Sequence, residues 1–350
     1  MDAMQPPVQS LDTESIWVAR NKVVLVTGGA GFLGSHLCER LIGEGHQVFA
    51  VDNFHTGRRA NVAHLFDSGR FTLRDHDVIE PLPADLPRFD EIYNLACPAS
   101  PIHYQSDPLK TLAVCSLGSW HALERGRRDG ARVFHASTSE IYGDPDVHPQ
   151  PEGYWGNVNT LGPRSCYDEG KRFAETLMSD FAARHGLTVR MARIFNTYGP
   201  RMQPDDGRVV SNFVVQALKG QDITVYGTGA QTRSFCFVDD LVTGIIALTR
   251  SSQPISGAVN LGNPVETSVS ALADLVITIT GATSRVIYHP LPQDDPRRRR
   301  PDISKAAALL NWAPAVPLEE GLARTIGYFS AQIAGGELER GMQERRFALA

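Results

Sequence analysis

Val23-Val24-Leu25-Val26-Thr27-Gly28-Gly29-Ala30-Gly31-Phe32-Leu33-Gly34 is the stretch on which the fold turns. It opens with an unbroken β-branched and aliphatic run, suited to a strand buried on both faces of a parallel sheet. Gly28, Gly31 and Gly34 follow with the spacing G-x-x-G-x-x-G, and Phe32, Leu33, Leu37, Leu41 and Ile42 then mark one side of a helix. Glycine here permits a tight turn, lets the backbone approach a pyrophosphate, and lets helix and strand pack closely. The helix N-terminus adds unpaired N–H groups and a positive dipole end. A second strand, Gln47-Val48-Phe49-Ala50-Val51, ends at Asp52. An acid there accepts from a ribose 2′-OH and repels a 2′-phosphate, so the pattern predicts an NAD site rather than an NADP site.

Further strands are expected at Phe71–Leu73, Glu91–Ala96, Arg132–Ala136 and Thr188–Arg193, with helices near 106–128 and 166–185. Alternating strands and helices predict an α/β fold, a Rossmann-type doubly wound parallel sheet whose strand ends form the ligand edge. After residue 196 the texture changes to prolines, glycines and short segments, which predicts a smaller C-terminal substrate-binding lobe. The expected organisation is a loose N-terminal tail over 1–20, an NAD-binding domain over 21–195, a substrate lobe over 196–330 and a C-terminal tail over 331–350. A helix near 237–250 is expected to return from the lobe to the large domain.

Composition narrows the class. The chain has 350 residues, 42% of them hydrophobic, enough for a large core or two lobes. A net charge of −5 gives nucleic acid no electrostatic footing. The basic run Arg297–Arg300 is local and framed by Asp294, Asp295 and Asp302, and a solvated role is an open reading for Arg297 and Arg300. Five cysteines without a paired motif argue for a reducing compartment. No stretch is long and apolar enough to suggest a membrane span, and residues 1–20 lack the pattern of a signal peptide. A cytoplasmic protein is expected, with no membrane partner and no metal.

Tyr167 and Lys171 are four residues apart and so share a helix face. A phenol with a pKa near ~10 is a poor base at neutral pH, but an adjacent ammonium and a cationic nicotinamide would favour the phenolate. Tyr167 could then take a proton from a sugar hydroxyl as hydride leaves its carbon, with Ser139 or Thr138 bonded to the same oxygen. Glu140 could serve as acid, base or water-orienter, or be a solvated loop residue. Arg233 and Arg299 carry the planar fork that suits phosphate or carboxylate.

These residues carry a resemblance. The chain is similar to the extended short-chain dehydrogenase/reductases that act on nucleotide sugars, and within them to the UDP-glucuronate decarboxylases. The likeness runs from Lys22 to Phe329 through Thr27–Gly34, Val51–Phe54, Ala136–Pro145, Cys166–Lys171, Arg193–Met202, Asp206–Phe213, Thr224–Gly227 and Asp294–Asp302. Thr138-Ser139-Glu140 is its specific signal, since related 4,6-dehydratases tend to carry Asp-Glu there and 4-epimerases lack the acid.

The resemblance implies a carboxy-lyase with internal redox. Tyr167 would deprotonate the C4 hydroxyl of UDP-glucuronate while NAD⁺ takes the hydride. The β-keto acid so formed would lose CO₂, with Ser139 and Thr138 on the enolate oxygen. C5 would be protonated through a water held by Glu140 and Arg299, and hydride would return to C4 to give UDP-xylose. The implied catalytic set is Tyr167, Lys171, Glu140, Ser139, Thr138 and Arg299. The implied NAD contacts are Gly28, Gly31, Phe32, Leu33, Gly34, Asp52, Asn53, Thr56, Gly57, Asp77, Val78, Leu95, Tyr167 and Lys171. Asn196, Arg208, Tyr226, Arg233 and Arg299 would hold the UDP-sugar. A homodimer through a four-helix bundle built from 106–128 and 166–185 is implied as well. The chain departs from the family at Cys115, where relatives usually have Asn, and at Ala113-Val114, where they have Lys-Thr. Two other readings are a nucleotide-sugar 4-epimerase or 4,6-dehydratase, and a non-catalytic NAD-binding protein. The second is disfavoured by the presence of Ser139, Tyr167 and Lys171 together.

Overall fold

The computed structural model describes residues 21–336, apart from 206 and 291–297. The expected tail over 1–20, the last part of the expected tail over 331–350, and Asp206, Asp294, Asp295 and Arg297 lie outside the described residues. The first half runs β1 (Val23–Thr27), α1 (Phe32–Gly43), β2 (Gln47–Asp52), β3 (Phe71–Asp75), β4 (Glu91–Asn94), α2 (Pro101–Tyr104), α3 (Pro108–Ala113), α4 (Ser119–Asp129), β5 (Arg132–Thr138), α5 (Ser165–His185) and β6 (Val189–Ile194). A π-helical turn, Val114–Gly118, joins α3 to α4 into one long helix, and a 3₁₀ segment, Arg59–Ser68, links β2 to β3. The second half runs β7 (Thr197–Tyr198), α6 (Val209–Leu218), β8 (Ile223–Tyr226), β9 (Thr232–Ser234), β10 (Cys236–Phe237), α7 (Val238–Arg250), β11 (Ala258–Leu261), β12 (Glu266–Ser268), α8 (Val269–Thr280), β13 (Val286–His289), β14 (Arg298–Arg299), α9 (Ser304–Leu310) and α10 (Leu318–Ala334).

The central sheet has seven parallel strands in the order β11-β6-β5-β4-β1-β2-β3. The apolar run of β1 explains its central place. Val24 and Val26 point into a layer with Leu37, Leu41 and Val48, while Leu25 points into the opposite layer with Ile92, Leu123, Val133 and Phe181. Each such fully buried aliphatic side chain contributes roughly 1.5–3 kcal/mol, which an exposed strand would forgo. The strand order reverses between β1 and β4, so a crevice opens at their carboxyl ends, where ligands bind in this architecture.

The smaller lobe contains α6, α8 and α10 packed together, the pair β8–β13 and the three-stranded sheet β12-β9-β14. Helix α7 returns to the large domain and packs against α1, β5 and β6. Two placements differ from the expected boundaries. β11 belongs to the large sheet, beside β6, and α9 packs on it rather than in the substrate lobe. Helix α10 also continues through Ala334, past the expected start of the tail at 331. In the first case Asn260 interrupts the apolar run of β11. Its amide is satisfied by the carbonyls of Gln150 and Asp302 and by the Tyr142 hydroxyl, partners that no local pattern announces.

Gly34 sets how closely α1 approaches the loop before it. A Cβ there would stand 2.0 Å from the Gly28 carbonyl oxygen, a backbone atom that cannot swing away. Gly34→Ala is therefore expected to destabilise the domain by roughly 1–3 kcal/mol or more and to weaken NAD binding in parallel. Denaturation curves and an NAD titration check this. An unchanged midpoint would mean that the contact relaxes without cost.

Candidate active site

The crevice is a cavity of about 670 Å³, within the range of small-molecule sites, and residues from both halves of the chain line it. At one end lies the glycine loop. Gly28 adopts φ +69°, the left-handed region that favours glycine, and its N–H donates to the Val51 carbonyl at 2.8 Å, tying the loop to β2. Helix α1 starts at Phe32 with its first amides directed at the crevice edge. Asp52 ends β2 with its carboxylate almost fully buried. One oxygen accepts from the Ala30 N–H at 2.9 Å and the other from the Phe54 N–H at 2.8 Å. The Gly31 N–H adds a third backbone contact, and the carboxylate still has acceptor capacity for a ribose hydroxyl.

Gly28, Gly31, Phe32, Leu33, Gly34, Asp52, Asn53, Thr56, Val78 and Leu95 all line the cavity. Gly57 and Asp77 do not. Gly57 backs the Asp52 carboxylate, which a Cβ there would meet at 2.6 Å. Asp77 accepts from Asn53 at 3.0 Å and pairs with Lys110, so it orients two cavity residues from behind. A glycine cradle, a helix N-terminus and a buried acid with spare lone pairs together fit a dinucleotide.

At the other end, β5 delivers Thr138 and a 3₁₀ turn carries Ser139 and Glu140, as expected for a segment leaving a strand at its carboxyl end. Helix α5 presents Tyr167 and Lys171 from the opposite wall. The Lys171 ammonium donates to the Ala136 carbonyl at 2.8 Å, and Tyr167 is hydrogen-bonded to Thr138. Tyr104 stacks on the Tyr167 ring, centroids 4.9 Å apart and planes within 6°, and fixes its orientation. Burial pushes the Tyr167 phenol well up, and the Cys97 and Glu140 charges add to the rise, while Thr138 opposes it. The expected phenolate is therefore not favoured by the protein alone, because desolvation and the neighbouring negative charges oppose it.

Glu140 is not a solvated loop residue. Its two oxygens are held by Arg299 at 2.5 Å and Arg164 at 2.8 Å, and Arg299 also donates to Ser139 Oγ at 3.3 Å and to the Gly143 carbonyl at 3.1 Å. Burial tends to raise the Glu140 carboxyl, but the charges of Arg299 and Arg164 and their hydrogen bonds hold it below the usual carboxylate range. Asp168, one turn on from Arg164, goes the other way. Burial and the Glu140 charge push its carboxyl up to about 7.

The smaller lobe supplies the rest. Arg233 on β9 and Arg299 on β14 are paired in register on adjacent parallel strands. Asn196, Arg208, Tyr226 and Arg233 all line the same cavity as Tyr167. Arg300 is part-exposed and lies 3.7 Å from Glu266, outside the cavity lining. Sequence reasoning missed Arg164, Lys110, Tyr104 and Cys97. The one signal for Arg164 was its place three residues before Tyr167, a helix-neighbour spacing. The others depend on tertiary packing.

Glu140→Gln should cost roughly 3–5 kcal/mol at neutral pH, since it takes from the buried Arg299 guanidinium the carboxylate it pairs with. Because the folded carboxyl titrates below its unfolded value, its stabilising contribution exists above the unfolded value and disappears as pH falls through the folded one. The gap between wild type and variant in denaturant midpoint should shrink on acidification. A gap independent of pH would refute the charge account.

The chain matches the NAD dependent epimerase/dehydratase family over residues 24–262. It is 52% identical to UDP-glucuronic acid decarboxylase 1 of Danio rerio over 328 residues, 94% of this chain and 76% of the relative. It is 50% identical to UDP-glucuronic acid decarboxylase 6 of Arabidopsis thaliana over 318 residues, 91% of each chain. Among solved structures it is similar to the UDP-glucose 4-epimerase of Thermotoga maritima with UDP-glucose, with TM-score 0.81 and 30% identity, covering 89% of this chain and 99% of that one. It is also similar to the UDP-glucuronic acid 4-epimerase of Bacillus cereus in complex with UDP-glucuronic acid and NAD, with TM-score 0.80 and 27% identity, covering 88% and 99%. Fold, crevice and sequence agree, and the chain belongs to the NAD dependent epimerase/dehydratase family.

Proposed function

We propose that this protein is a UDP-glucuronate decarboxylase, a carboxy-lyase that uses NAD and forms UDP-xylose. The observation that carries this reading is the Glu140 carboxylate clamped between Arg299 and Arg164, beside Ser139 and within the same cavity as Tyr167. Relatives near 50% identity bear the decarboxylase name.

NAD⁺, when bound, would supply the acceptor for the C4 hydride of the sugar and the store from which it returns. The remaining roles fall to the chain. Tyr167 takes the C4 hydroxyl proton, and Thr138 and Ser139 hydrogen-bond the oxygen that becomes the C4 carbonyl. The sugar carboxylate is then β to a carbonyl and leaves as CO₂, with the electrons drawn onto that oxygen. Arg299 and Arg164 supply positive charge where a sugar carboxylate would lie, and Glu140 orients the water that protonates C5. Tyr167 returns its proton as the C4 hydroxyl is restored. Gly28, Gly31, Phe32, Leu33, Gly34, Asp52, Asn53, Thr56, Val78 and Leu95 are assigned to NAD, with Gly57 and Asp77 supporting Asp52, Asn53 and Lys110. Asn196, Arg208, Tyr226 and Arg233 are assigned to the UDP portion.

We assign a homodimer as the working state. The long helix Pro108–Asp129 and α5 pack side by side and expose Leu109, Leu112, Leu117, Trp120 and Phe173, an apolar face suited to a second copy in a four-helix bundle. No helix among the described residues is long and apolar enough to cross a membrane, and all five cysteines are free, which suits a reducing cytoplasm.

Purified protein given UDP-glucuronate should release CO₂ and form UDP-xylose, followed by NMR, with no net NADH. UDP-galacturonate as product would instead favour the 4-epimerase reading, the activity named for the Bacillus cereus structure. Glu140→Gln and Arg299→Ala should each lower CO₂ release by about 10²-fold or more while NAD still binds. Near-normal turnover in both would remove those roles. Leu109→Arg combined with Phe173→Arg should sediment as a monomer, and a persistent dimer would exclude this face.

A further inference from the structure

Two cysteines meet at the wall of the cavity. Cys97 follows β4 and lines the cavity, and Cys115 lies buried in the π-helical turn Val114–Gly118. Their Sγ atoms are 3.6 Å apart, although 18 residues separate them in the chain. A disulfide needs about 2.05 Å, so ångström-scale closure would join them. Cys115 also touches the catalytic helix, since a Cβ on Gly170, the residue before Lys171, would stand 3.1 Å from its sulfur.

We propose that Cys97 and Cys115 are an oxidisable dithiol, a modification site at which a hydroperoxide drives formation of a disulfide that stops turnover. Cys97 is the attacking sulfur because it alone of the two faces the cavity. Its thiolate attacks a peroxide oxygen, the O–O bond breaks, hydroxide leaves, and Cys97 becomes a sulfenic acid. The Cys115 sulfur then attacks the sulfenic sulfur, and water leaves with the Cys115 proton. Two thiols lose two electrons and two protons in all, and the peroxide is reduced to water. Local electrostatics agree with this division. The hydrogen bond shared with Cys115 and the nearby Lys171 ammonium draw the Cys97 thiol down against its burial, while Cys115 is pushed up. The bond pulls the π-helical turn toward β4 and alters its contact with Gly170. It thereby shifts Lys171 and Tyr167.

The test treats the purified full chain with hydrogen peroxide and reads intact mass, peptide maps and turnover together. Intact mass should fall by two hydrogens, with a Cys97–Cys115 linked peptide. Turnover should fall by about 10²-fold, the cost of an ångström-scale misplacement, and dithiothreitol should restore it. Cys115→Ser should give no linked peptide and should accumulate sulfinic acid at Cys97, whereas Cys166→Ser should still form the link. No link in wild type, a link from Cys97 to Cys166 instead, or full turnover in the linked protein would each overturn the proposal. The mass readout is independent of which nucleotide sugar is turned over, so its failure is distinguishable from failure of the decarboxylase reading.

Discussion

The site depends on one largely buried carboxylate. Taking Glu140 out of water costs several kcal/mol, and only good ionic geometry on both of its oxygens offsets that cost. Arg299 and Arg164 provide it from different places. Arg299 comes from a short strand of the smaller lobe, Arg164 from the residue that leads into α5, and Glu140 from the turn that leaves the central sheet. The trio therefore fixes three elements relative to one another, and any shift of the smaller lobe against the sheet must break a desolvated ion pair. Arg299 adds hydrogen bonds to Ser139 and the Gly143 carbonyl, so the turn that carries Glu140 is held at side chain and backbone alike.

Two guanidiniums meet the Glu140 carboxylate at this end of the crevice, and Asp168 lies one helical turn on from Arg164. Its burial and the Glu140 charge keep it protonated more readily than an ordinary aspartate. Guanidiniums at this end of the crevice suit a substrate that brings its own carboxylate. Substrate class is thus written in the groups around Glu140 more than in the Tyr167–Lys171 pair, which serves any alcohol oxidation.

Much of this was legible in the sequence where chemistry is encoded by spacing. The glycine triplet, the acid ending the second strand and the Tyr167/Lys171 interval each demand a local geometry, and the structure brings those residues to one crevice. Glu140 was recognisable as a candidate but not as a clamped ion, because its partners lie at 164 and 299 and no periodicity links them. β11 escaped for a related reason. Its Asn260 looks foreign to a buried strand until the carbonyls of Gln150 and Asp302 and the Tyr142 hydroxyl are seen around it. Local pattern reports what a segment prefers, and long-range polar satisfaction reports what the fold permits.

The protonation state of Tyr167 shows where the two kinds of information conflict. Spacing places an ammonium one turn away and suggests an acidified phenol. In the folded chain that ammonium is bonded to the Ala136 carbonyl, and the phenol lies in a dry wall between Tyr104 and Thr138. Desolvation disfavours the phenolate and the nearby Cys97 and Glu140 charges disfavour it further, so the resting site holds a neutral phenol. A base that stays protonated until a cationic ring and a hydroxyl share its cavity does not discharge on solvent. The same dryness that raises the phenol also strengthens every charge interaction the substrate meets there. Burial of Tyr167 is therefore compatible with the proposed role as base, the missing positive charge arriving with the cofactor.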